Sequence, residues 1–148
     1  MRLFLDTSVL LAASGSTRGA SREIFRLAPE HGWSLIATPY VIEEVLTNIG
    51  TLGTAAAAEW AKLRKDLLIF DDILTVDRPV VFSPAKDRPI LFSALAWTDA
   101  LLTLDRGDFI ELLGQSFYDL PVLKPGDFLR RERDAGRLKP ASPPNEAS

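Results

Sequence analysis

Two aspartates stand in the same setting. Asp6 ends the apolar run Arg2 to Leu5, and Asp105 follows the run Ala100 to Leu104, so each reads as a carboxylate at the carboxyl end of a buried strand. In open α/β sheets that edge is where ligands bind. Asp6, with Thr7 and Ser8 behind it, equally suits a helix N-cap. Asp87 precedes Pro89 at a helix start, and Glu43 and Glu44 lie in a helix opened by Thr38-Pro39. The chain has no cysteine and a single histidine. Thiolate chemistry is therefore excluded, and no glycine-rich phosphate loop offers a competing site.

Carboxylates drawn from four separate parts of the chain repel one another and rise in pKa unless a cation compensates them. Ligation by oxygen alone selects hard ions such as Mg²⁺ or Mn²⁺. Two such ions about 4 Å apart would activate a water and stabilise the attacking and leaving oxygens of an in-line phosphodiester displacement. That is a nuclease site in outline. The net charge of −3 argues against a simple basic nucleic-acid surface. With four of the 20 acids set aside on metal ions, 16 face 17 basic residues, so acidity does not exclude such an enzyme.

The elements that must position these groups alternate. At 148 residues and 47% hydrophobic content, the chain suits one domain with a real core, spanning residues 1–138, followed by a proline-rich, disordered tail over 139–148. After the first strand, Val9 to Ala13 read as a short helix and Ser21 to Ala28 as another closed by His31-Gly32, with His31 solvated. Trp33 to Ala37 read as the second strand. The helix from Pro39 packs Val41, Ile42, Val45, Leu46 and Ile49. At roughly 100° per residue, Glu43 and Glu44 fall on its two opposite flanks, and helical geometry does not choose between them. A long alanine-rich helix spans Thr54 to Leu68. Ile73 to Val76 read as a strand, Pro79 to Phe82 as the approach to the next helix, and Asp71, Asp72 and Asp77 as turn residues. That helix buries Ile90, Leu91, Ala94 and Leu95. Pro121 to Leu123 form the last strand, and Pro125-Gly-Asp127 cap a helix from Phe128 to about Arg137 whose arginines face water. Strands alternating with helices imply a mostly parallel sheet with right-handed crossovers and helices on both faces. No targeting segment or membrane span is expected, and the cytoplasm is the expected compartment.

The stretches Leu3-Phe-Leu-Asp-Thr-Ser-Val-Leu-Leu11, Ala37-Thr-Pro-Tyr-Val-Ile-Glu-Glu-Val45, Lys86-Asp-Arg-Pro-Ile-Leu91 and Leu101-Leu-Thr-Leu-Asp-Arg-Gly-Asp-Phe109, with Leu120 to Leu123 and Asp127 to Leu129, together resemble a PIN domain. The resemblance implies a three-layer α/β/α fold with a central, mostly parallel sheet. It also implies a Mg²⁺- or Mn²⁺-dependent endoribonuclease, often a VapC-type toxin with an antitoxin partner and a dimeric state. By resemblance Asp6, Glu44, Asp87 and Asp105 match the family's four acids, with Glu44 preferred to Glu43 because a hydrophobic residue follows it. Asp108 matches an often acidic position near the metals, and Ser8 and Thr103 match polar positions that support the first and fourth acids. Two further readings of the same features are a non-catalytic PIN-like binding module and an RNA-processing nuclease that is not a toxin. A haloacid-dehalogenase-type phosphatase would need an aspartate where Ser8 stands.

Overall fold

The structure is a computed structural model and describes residues 1–74, 88–105 and 113–139. Within these residues six strands form one sheet: β1 (Arg2–Leu5), β2 (Ser34–Ala37), β3 (Leu68–Ile69), β4 (Ala100–Leu102), β5 (Gln115–Phe117) and β6 (Leu120–Leu123). Their spatial order is β3-β2-β1-β4-β6-β5, parallel throughout except for the antiparallel β5–β6 pair. Among the described residues, six α-helices flank it: α1 (Thr7–Gly15), α2 (Ala20–His31), α3 (Pro39–Asn48), α4 (Thr54–Leu63), α5 (Arg88–Trp97) and α6 (Pro125–Asp134). The result is a three-layer α/β/α arrangement. Among the described residues no helix is long and apolar enough to cross a membrane.

The opening run sits at the centre because it can be buried on both faces. Leu3, Phe4 and Leu5 are fully buried, as are Leu101 and Leu102 of β4 and Ile36 and Ala37 of β2. Continuous apolar strands of this kind mark parallel sheets covered on both sides. Leu3 pairs with Leu35 on one side and with Ala100 on the other, so β1 carries neighbours along both edges. Its chain exit, and that of β4, therefore open onto the same edge of the sheet.

Several sequence expectations change in detail. The alanine-rich helix ends at Leu63 and not at Leu68; a 3-10 turn over Arg64–Asp66 follows, and Leu68–Ile69 become β3, pairing in parallel with Ile36 and Ala37. A two-residue edge strand is too short to carry a period that sequence could show. Ile73 and Leu74 form no strand; the Ile73 amide instead donates to the buried Ser93 hydroxyl at 2.9 Å. Val76, Asp77 and Pro79 to Phe82 lie outside the described residues. α6 starts at Pro125, so Asp127 lies within its first turn, bonded to Arg130, and is not its cap; the helix ends at Asp134, short of Arg137. α2 extends to His31, with Gly32 in the left-handed region behind it, and His31 is half-buried against Trp33, the rings 5.3 Å apart, where a solvated residue was expected.

Of the β5–β6 hairpin the sequence shows only the second strand, read as Pro121 to Leu123; β5 and the turn have no counterpart in that reading. Its two-residue turn, Tyr118-Asp119, holds both residues at positive φ, 48° and 69°. Such turns match the twist of the flanking strands and ordinarily use Asn-Gly or Asp-Gly. Tyr-Asp hides the signal. A non-glycine residue there costs about 1–2 kcal/mol, partly offset by the greater freedom glycine has in the unfolded chain. Asp119→Gly is therefore expected to stabilise the protein by about 0.5 kcal/mol, read as a higher urea midpoint at unchanged slope.

Candidate metal centre

Asp6 is 4% exposed, at the point where β1 passes into α1. Its amide donates to the Leu102 carbonyl at 3.0 Å, continuing the β1–β4 ladder by one residue. Its carboxylate caps α1, with Oδ1 accepting the Thr7 amide at 2.7 Å. The other oxygen, Oδ2, accepts two hydroxyls, Ser8 Oγ at 2.8 Å and Thr103 Oγ1 at 2.7 Å. Ser8 Oγ in turn accepts the Leu104 amide at 3.0 Å, and Thr103 Oγ1 accepts the Asp105 amide at 3.0 Å. An amide can only donate and a carboxylate only accept, so each hydroxyl takes the amide on a lone pair and gives its proton to Asp6. The turn after β4 is thereby tied to the turn after β1.

Glu44 reaches the same edge from α3. Its Oε1 accepts the Thr7 hydroxyl at 2.8 Å, and the side chain is half-buried, whereas Glu43 is exposed. The tertiary arrangement distinguishes the two glutamates where helical periodicity did not. α3 is held at its start in an unexpected way. Among the described residues the buried Thr38 hydroxyl has no hydrogen-bond partner and makes no capping bond, while Asp72, read from sequence as a turn residue, accepts the Tyr40 amide at 3.0 Å. Thr7 and Asp72 are the residues the sequence reading missed. Thr7 carried a signal, a hydroxyl at the first helical position just behind a candidate ligand. Asp72 carried none, since its partner lies 32 positions away.

Burial pushes the Asp6 carboxyl above its ordinary value, and the nearby Glu44 charge adds to this; the bonds from Thr103, Ser8 and Thr7 pull it back in part. All three of those donors are neutral. The structure thus brings Asp6, Ser8, Thr103, Thr7 and Glu44 together, with the Asp105 backbone bound into the same network and its residue half-buried. Asp87 and Asp108 lie outside the described residues. Among the described residues, no three acids or histidines are grouped closely enough to hold a metal ion. In ligand type the site suits a hard divalent cation: a buried carboxylate coupled to a second one, oriented by oxygen and nitrogen donors that bring no positive charge.

No family profile matches the chain, and no curated protein matches it. Among solved structures, a chain of VapBC2 from Rickettsia felis, crystallised bound to a DNA fragment from their promoter, is similar with a TM-score of 0.58 at 13% identity. The match covers 82% of this chain and 97% of that one. The fold is PIN-like. At that identity the likeness concerns the backbone; of the candidate acids, Asp6 and Glu44 have the side-chain geometry given above.

Because its pKa is raised on folding, the Asp6 carboxyl binds its proton more tightly in the native state than in the unfolded chain. Between the unfolded value near 3.8 and the higher folded value, the native state holds more protons, so stability falls as pH rises through that window. Asp6→Asn lacks this penalty. In metal-free buffer, urea unfolding at a series of pH values is expected to show wild type losing stability relative to Asp6→Asn as pH climbs above about 4. Parallel profiles would contradict it.

Proposed function

We propose that the chain is a Mg²⁺- or Mn²⁺-dependent endoribonuclease of the VapC-like kind. The observation that carries this reading is the buried Asp6 carboxylate at the end of the central strand, held by neutral donors beside Glu44. In this proposal Asp6, Glu44, Asp87 and Asp105 hold the metal, with Asp108 near it. The ion would supply Lewis-acid stabilisation of charge on phosphate oxygens and lower the pKa of water. The chain's own groups do the rest. Ser8 and Thr103 fix the rotation of the Asp6 carboxylate, and both are fixed in turn by amides of the β4 exit. Burial of Asp6 keeps competing water from its oxygens.

An RNA substrate, a cognate antitoxin, a homodimeric state and a cytoplasmic location belong to the same proposal. The similar VapBC2 structure supports the antitoxin part by its name, and a toxin role follows from it.

Asp6→Asn is expected to remove Mn²⁺-dependent RNA cleavage to the level of buffer, measured on protein free of contaminating nuclease. Ser8→Ala or Thr103→Ala, which each remove a hydroxyl donor to Asp6 and the acceptor of an amide at the β4 exit, are expected to lose about 10- to 100-fold. Full activity in Asp6→Asn would sink the assignment. Wild type that takes up no Mn²⁺ by calorimetry would instead leave a non-catalytic PIN-like module.

A further inference from the structure

We propose that Thr7 is a positioning residue that clasps the two acids, its amide holding Asp6 Oδ1 and its hydroxyl holding Glu44 Oε1. The inference rests on the nuclease reading only in what the clasp is for. Two carboxylates that repel each other are bound to two atoms of one residue, at 2.7 and 2.8 Å, so the covalent geometry of Thr7 helps set the distance between them.

Three features make Thr7 suited to this. As the first residue of α1, it has an amide without an intrahelical acceptor, free to serve Asp6. At that position no earlier helical turn offers a carbonyl to its hydroxyl, which otherwise tends to bond back along a helix. Its β-branched side chain is stiff about χ1, so the hydroxyl direction is restricted before Glu44 arrives. The clasp also accounts for the division of labour on α3, where Glu44 is turned to Thr7 and Glu43 is left exposed.

The two halves of the clasp separate cleanly by mutation. Thr7→Val keeps the amide and the side-chain shape and removes only the hydroxyl; Thr7→Ser restores it; Thr7→Ala repeats the deletion should the valine disturb packing. In metal-free protein, side-chain coupling constants measured by NMR are expected to show Glu44 in one rotamer in wild type and Thr7→Ser. They should average over several rotamers in Thr7→Val, with the Thr7-position amide still protected from exchange. Mn²⁺ titration by calorimetry is expected to show about a 10-fold loss of affinity in Thr7→Val, and recovery to within about two-fold of wild type in Thr7→Ser. A Thr7→Val protein whose Glu44 stays in one rotamer, or which binds Mn²⁺ as wild type does, overturns the proposal. If wild type binds no Mn²⁺, the nuclease reading fails by itself and the rotamer measurement still decides the role of Thr7.

Discussion

The arrangement depends on one constraint, a carboxylate held in the interior by neutral donors. Asp6 cannot move to water, because its amide continues the β1–β4 ladder and its side chain caps α1. Every unsatisfied lone pair on a buried charge is costly, so the neighbouring chain has to supply donors. It does so from both adjacent turns. Ser8 comes from the same helix start, Thr103 from the end of β4, and each passes on the polarity of an amide behind it. The requirement to solvate one carboxylate thus fixes where the β4 exit runs, and with it the position of the Asp105 backbone.

Much of this was legible in the sequence, for a physical reason. A fully buried parallel strand has to be apolar along its length, so the first polar residue marks its end. Arg2 to Leu5 before Asp6, and Ala100 onward before Thr103 and Asp105, show that edge directly. The alternation of strands and helices then gives the sheet its class. What stayed hidden depends on partners far away or on too few residues. Glu43 and Glu44 are equivalent by periodicity and are separated only when α3 docks against α1. Asp72 caps a helix 32 positions upstream. β3 is two residues long, and the β5–β6 turn uses Tyr-Asp where backbone geometry favours Asn-Gly.

The same comparison shows where local rules give way. Thr38-Pro39 has the composition of a helix start, and a helix does start there, but the buried Thr38 hydroxyl makes no capping bond and has no partner among the described residues. The capping bond comes from a segment that returns past β3. With the α3 amide end held by Asp72 and its second turn held through Glu44 by Thr7, the helix is fixed at two points by polar contacts. Its apolar residues Val41 and Val45 fix its depth against the core. Two polar points and an apolar face leave little freedom for rotation about the helix axis, and it is that rotation which decides which glutamate faces Asp6.

A second buried acid makes the character of the site plain. Glu132 is as inaccessible as Asp6, each 4% exposed. Glu132 is met by the Arg137 guanidinium at 2.6 and 3.0 Å, a two-point ion pair that satisfies the carboxylate and cancels its charge. Such a pair closes off further chemistry. Asp6 is satisfied to a similar degree in hydrogen bonds, but its donors are an amide and two hydroxyls, which orient the carboxylate without neutralising it. The negative potential that burial and Glu44 build up at Asp6 is therefore left standing. An arginine or lysine beside the strand end would have lowered this cost, as Arg137 beyond α6 does for Glu132; among the described residues none is in contact with Asp6. Orientation without neutralisation is what the proposed metal-binding role asks of Asp6, and it is what Glu132, paired with Arg137, does not offer.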